Sequence, residues 1–156
     1  DQGVAVHFRQ MNATALELED ESVDVVFSSM FLHELSVKDI RKVLAEAYRV
    51  LKPGGLMLHM ELPPNDSMAP FDAFYLDWDS YYNNEPFYKA FRDQHMPSLC
   101  EGAGFGQDRY FQFITPQYSY SDPDAYAQAI KSEGQFSDKT GRLADGLQWF
   151  GFGAWK

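Results

Sequence analysis

Between Val23 and Leu62 the hydrophobic period of the chain changes twice, and each change predicts an element. Val23, Val25, Val26 and Phe27 form a short apolar run closed by Ser28 and Ser29, the pattern of a strand covered on both faces. Ser36 with Asp39 three residues on has capping-box spacing. Val37, Ile40, Val43, Leu44, Ala47, Val50 and Leu51 then fall three and four apart, leaving Lys38, Arg41, Lys42, Glu46 and Arg49 for water, so a helix with one apolar stripe follows. Arg49 and Lys52 suit its negative end. Lys52-Pro53-Gly54-Gly55 has Pro second and Gly third, a type II turn with positive φ at Gly54. From Leu56 the period is two: Leu56, Leu58, Met60 and Leu62 point one way, and Met57, His59 and Glu61 the other. Strand, helix, turn and strand make a parallel βαβ unit. Ligands collect at the carboxyl ends of such strands, which directs attention to Met30–Leu35 and Glu61–Asp66.

The flanks extend this picture. Val4–Arg9 alternates weakly and predicts a strand ending at Met11-Asn12, and Leu16 and Leu18 are packing residues in a loop whose Glu17, Glu19, Asp20 and Glu21 are expected to be solvated. After Pro63-Pro64, Phe71, Phe74, Tyr75, Trp78, Tyr81 and Tyr82 recur at helical spacing, with Asp72, Asp77 and Asp79 keeping the helix amphipathic. A second helical piece carries Phe87, Tyr88, Phe91, Met96, Leu99 and Cys100. Gly102, Gly104 and Gly106 lie between helix and strand, so they end one and start the other rather than cradle a phosphate. Arg109–Ile114 and Leu147–Trp155 predict an antiparallel strand pair. Between them a helix is expected after Asp122, with Pro123 at its first position, then a polar loop over Ser132–Arg142.

Taken in order, Asn12-Ala13 with Leu16, Val23-Asp24-Val25-Val26, Leu32-His33-Glu34-Leu35 and Tyr48-Arg49-Val50-Leu51-Lys52-Pro53-Gly54-Gly55 resemble the later motifs of class I S-adenosylmethionine-dependent methyltransferases. The resemblance implies an α/β, Rossmann-like methyltransferase fold, a mostly parallel sheet with a C-terminal antiparallel strand pair. Residues 1–62 would close the cofactor-binding part, and 63–156 would supply acceptor-side helices and the closing strands. The family's glycine-rich loop has no counterpart in these 156 residues. The chain is therefore expected to be the later part of a longer domain, inactive alone and weak in binding S-adenosylmethionine.

The resemblance also assigns residues. Asn12 stands where the family carries an acid that accepts from the adenine amino group; Asn keeps the acceptor, though it equally suits a cap of the next turn. Ala13 leaves room for the ring, and Ser28, Ser29, Met30 and Phe31 would touch the adenosine. His33, Glu34 and Glu61 are the catalytic candidates, with capping or packing as the competing role for His33, while His59 reads as a hydrogen-bonded core histidine. No helical His pair or Cys cluster accompanies them, so no metal site is expected. Phe74, Trp78 and Tyr82 are candidates for binding an apolar or aromatic small-molecule acceptor; the alternative is that these rings pack on the sheet. In the family's strand order the absent strands lie between Val4–Arg9 and Val23–Ser29. An unpaired edge at Val23–Ser29 would then invite homodimeric pairing.

Composition narrows the classes. A hydrophobic content of 45% over 156 residues supports one core. The net charge of -10 argues against a nucleic-acid partner, which needs clustered cations. Cys100 is the only cysteine, so no internal disulfide forms, and the absence of a long apolar run predicts no membrane partner and a cytoplasmic protein. A non-catalytic methyltransferase-like interaction module is the alternative function. A dinucleotide oxidoreductase would need a fingerprint that is absent.

Overall fold

Ser36 starts the central helix as its spacing predicts: its hydroxyl accepts from the Asp39 amide at 3.2 Å and donates to the Asp39 carboxylate at 2.8 Å. The fold is described from a computed structural model covering residues 3, 5–65, 68, 70–115 and 149–156. In order come β1 (Val23–Ser29), a 3-10 turn (Leu32–Glu34), α1 (Val37–Val50), β2 (Leu51–Glu61), α2 (Pro70–Tyr82), α3 (Tyr88–Arg92), α4 (Met96–Gly102), a 3-10 turn (Gln107–Arg109), β3 (Tyr110–Thr115) and β4 (Trp149–Trp155). The expected helix after Asp122 and the loop over Ser132–Arg142 lie outside the described residues.

The sheet runs β1-β2-β4-β3, with β1 parallel to β2 and β4 antiparallel to both of its neighbours. Gly54 has φ +79°, as the turn requires, and a Cβ on Gly55 would lie 2.9 Å from the Lys52 carbonyl. Ile40, Val43, Leu44 and Ala47 of α1 are buried with Met57, Phe150 and Phe152 of the sheet and Leu99 and Cys100 of α4. Each large apolar side chain so buried contributes roughly 1.5–3 kcal/mol. Burial raises the Cys100 thiol pKa to about 12.

The two faces of the sheet are unequal, which corrects the expectation that β1 is covered on both. Register puts Val26, Met57, His59, Glu61, Phe150 and Phe152 on the α1 side. Val25 and Phe27, on the other side, are 57% and 58% exposed. The more hydrophobic row of β2, Leu56, Leu58 and Met60, is only half-buried. Handedness of the βαβ crossover, not hydrophobicity, decides where α1 lies. On that second face the Phe111 and Phe113 rings close over Gly153 and Gly151, where a Cβ would meet them.

Other expectations also fail in instructive ways. Residues 5–10 form no strand, and Val6 and Phe8 are 64% and 93% exposed; among the described residues no strand lies alongside them to offer a ladder. Arg49 is not simply a solvated cation. Its guanidinium donates to the Leu18 carbonyl at 2.8 Å, the Leu16 carbonyl at 3.0 Å and Asp20 at 2.6 Å, so the acidic loop is tied to α1. Helix α2 is inverted: it buries Asp72, Leu76 and Ser80 and turns its aromatic stripe outward.

Candidate active site

The chain leaves β1 through Met30, a non-glycine residue at φ +50°. A left-handed backbone there is costly and persists only where its surroundings impose it. Here the imposing group is Glu61, at the carboxyl end of the adjacent strand and 0% exposed. Its Oε1 accepts from the Phe31 amide at 2.9 Å and the Leu32 amide at 2.7 Å, and the Met30 amide donates to the Met60 carbonyl at 2.8 Å. The second carboxylate oxygen meets His33 Nδ1 at 2.6 Å. One buried carboxylate thus fixes both the turn after β1 and the ring of His33.

His33 is 5% exposed. Burial acts to lower its pKa, but the hydrogen bond and charge of Glu61, with Glu34 and Glu85, outweigh it and the pKa rises. Its Nε2 lies 3.6 Å from a Glu34 carboxylate oxygen. Tyr88 presents an edge to the imidazole at 4.8 Å between centroids and Phe91 at 6.5 Å. Behind Tyr88, Arg92 is buried, paired with Asp77 and 5.4 Å from the Tyr88 ring centroid. The polar dyad is therefore walled by α3.

The sequence candidates divide accordingly. His33, Glu34 and Glu61 come together. Ser28 turns its hydroxyl inward to His59 Nδ1 at 2.6 Å, while Ser29 is exposed and Met30 and Phe31 are half-buried. Asn12 is exposed and uses Oδ1 locally, accepting from the Thr14 amide at 3.0 Å and the Thr14 hydroxyl at 2.9 Å; Ala13 packs against the core. Phe74, Trp78 and Tyr82 are 64%, 48% and 67% exposed, with the Trp78 and Tyr82 rings 4.8 Å apart. The rings that meet His33 come instead from α3. Sequence reasoning placed Tyr88 and Phe91 on a helix without assigning them to the site, and it overlooked Glu85. Nothing in their spacing relates them to residue 33.

A carboxylate-bound imidazole thus lies at the carboxyl ends of the parallel strands of a Rossmann-like α/β sheet, where such sheets collect ligands. The methyltransferase-domain family matches residues 1–59. The match is confined to that segment, and the chain as a whole has the fold of the class I S-adenosylmethionine-dependent methyltransferases. A ubiquinone/menaquinone biosynthesis C-methyltransferase of Brucella canis is 32% identical over 69% of this chain and 45% of its own length. The chain thus spans less than half of that relative. A methyltransferase structure from Methanosarcina mazei aligns over 100% of this chain and 69% of its own, at 16% identity and a TM-score of 0.59. A Haemonchus contortus phosphoethanolamine N-methyltransferase bound to S-adenosylhomocysteine covers 93% of this chain and 36% of its own, at 20% identity and a TM-score of 0.55.

Proposed function

We propose that the chain forms the acceptor side of an S-adenosylmethionine-dependent methyltransferase acting on a small molecule with an apolar or aromatic body. The observation that carries this reading is the Glu61–His33 pair, held at 2.6 Å beside the Tyr88 and Phe91 rings. The name of the Brucella relative favours a carbon acceptor on a quinone-type ring. A cytoplasmic location belongs to the same reading; no helix among the described residues is long and apolar enough to cross a membrane.

The residues present fit one end of the methyl donor only in part. Asn12 Oδ1, the acceptor an adenine amino group would need, is already taken by the Thr14 amide and hydroxyl, so that contact would require Thr14 to give way; Ala13 is small, and the exposed Ser29 with Met30 and Phe31 would form a shelf for the adenosine. When bound, S-adenosylmethionine supplies an electrophilic methyl group on a sulfonium. Glu61 holds the imidazole so that Nε2 accepts the proton lost by the acceptor, and the imidazolium that forms is stabilised by the carboxylate. Tyr88 and Phe91 exclude water from this side. Glu34, 57% exposed at its side chain, is a second polar contact at the mouth, and Phe74, Trp78 and Tyr82 offer rings to an apolar acceptor.

Methyl transfer by the whole protein to a phenolic or quinol acceptor tests this. His33→Asn is expected to lower kcat roughly 10²–10⁴-fold while cofactor affinity holds, and Trp78→Ala to raise the acceptor KM more than the cofactor KM. The 156-residue chain alone is expected to bind S-adenosylmethionine more weakly than the whole protein. Undiminished turnover in His33→Asn would remove the assignment, and binding of acceptor without any transfer would favour the interaction module, whose outward aromatic stripe on α2 is already in place.

The outer edge of β1 has no strand partner among the described residues, and Val25 and Phe27 are exposed beside it. Such an edge is a template for a second chain. The isolated 156-residue chain is therefore expected to dimerise in light scattering, and Val25→Lys with Phe27→Lys to return it to monomer. A wild-type monomer at high concentration would refute this pairing.

A further inference from the structure

We propose that His33, Glu34 and Glu85 form a binding site for a first-row divalent cation of the Mn²⁺ to Zn²⁺ series. One nitrogen of His33 and one carboxylate oxygen from each glutamate lie within 4.8 Å of one another. His33 Nδ1 is taken by Glu61, which leaves Nε2 as the ligand and makes Glu61 the carboxylate that orients a metal-bound histidine, the usual support for such a ligand. Imidazole with two carboxylates matches borderline divalent cations better than the all-oxygen sets of calcium. At bond lengths of about 2.0–2.2 Å donors on one ion lie about 3.0–3.6 Å apart, so the pairs now farthest apart, at up to 4.8 Å, must close by roughly 1–2 Å. The Glu34 carboxylate is exposed and Glu85 stands half-buried in the turn between α2 and α3, so both can swing, whereas the His33 ring is already fixed.

Three protein ligands leave coordination positions open, the arrangement of a catalytic rather than a structural site. Glu85 also lines a cleft of about 350 Å³ with Asp77, Ser80, Tyr81 and Lys89, so the open positions would adjoin space for a small molecule. The cation's role rests on the proposed acceptor site: it would bind an acceptor oxygen and stabilise its anion, in place of direct proton transfer to Nε2. Its binding does not depend on that reading.

Titration of the chelator-treated 156-residue chain with Co²⁺, followed by visible absorption, separates the two. One Co²⁺ per chain, with the bands of a four- or five-coordinate ion and competition by Zn²⁺, is the expected result. Glu85→Gln should weaken Co²⁺ binding roughly tenfold or more, Glu61→Gln roughly 10–100-fold, and Glu101→Gln on α4 not at all. Absence of these bands up to about millimolar Co²⁺, or equal affinity in Glu85→Gln with unchanged circular dichroism, overturns the site. Cobalt binding by this chain, together with no transfer by the whole protein to any acceptor, would leave the site standing and remove only the acceptor reading.

Discussion

Glu61→Ala is expected to lower the unfolding free energy by roughly 3–5 kcal/mol, because three buried donors lose their one shared acceptor at about 1–3 kcal/mol each. The carboxylate is 0% exposed and receives the Phe31 amide, the Leu32 amide and the His33 ring together. Alanine offers none of them a partner, and the cavity is too enclosed for bulk water to replace all the lost bonds. Met30 would then lose the contacts that hold it at φ +50°, and the turn after β1 should relax. Amide hydrogen exchange at Phe31 and Leu32 should accelerate more than the global loss of stability explains.

Glu61→Gln separates the turn from the imidazole. The amide oxygen can still accept from Phe31 and Leu32, so their exchange should stay slow and the loss should be only about 1–3 kcal/mol. The amide nitrogen then faces His33 Nδ1 and donates, so the neutral ring must carry its proton on Nε2. Nitrogen NMR shifts of His33 in metal-free buffer report that tautomer. A Glu61→Ala protein with wild-type stability and unchanged exchange at both amides would show that Glu61 does not hold the turn.

How much of this was legible depended on whether the cause was local. The Ser36 cap, the stripe of α1 and the positive φ at Gly54 are written within a few residues of where they act. The pairing of His33 with Glu61 is not. It follows from the parallel register, in which Ser29 stands opposite Met60 and brings the next turn beside the next residue of β2. Each residue could be flagged separately, but their contact required the sheet. Faces were harder still. Periodicity on α2 reveals an aromatic stripe without saying which way it points, and burial of Asp72 and Ser80 reverses the usual choice. Ser80 is satisfied by donating to the Leu76 carbonyl at 2.6 Å, and Asp77 by pairing with Arg92 and Lys89, so the inward side of the helix can be polar. Glu85 and Tyr88 reach the site only through the turn between α2 and α3, a placement set by tertiary packing.

His59 carries the clearest pH signature outside that site. It was read from sequence as a core histidine, and it is 1% exposed with one hydrogen bond, between Nδ1 and the Ser28 hydroxyl at 2.6 Å. Nε2 is buried without a partner, and the ring lies 5.2 Å from that of Phe152. Protonation would add a second donor to a site that satisfies only one ring nitrogen, and burial lowers the pKa from 6.5 to about 4. Between these values the unfolded chain binds the proton more readily than the folded one. The contribution of the neutral ring is thus complete above pH 6.5 and is lost progressively as pH falls through about 4. Urea unfolding at about pH 7 and about pH 4.5 should show a loss of about 2–3 kcal/mol from this residue. Carboxylates also titrate over that range, so the decisive quantity is the difference from the Ser28→Ala, His59→Leu double variant, which removes the ring and the hydroxyl left behind. Its pH dependence should be flatter by about the same 2–3 kcal/mol. Parallel pH profiles for the two proteins would mean that His59 accepts its proton in the folded state as readily as in the unfolded chain.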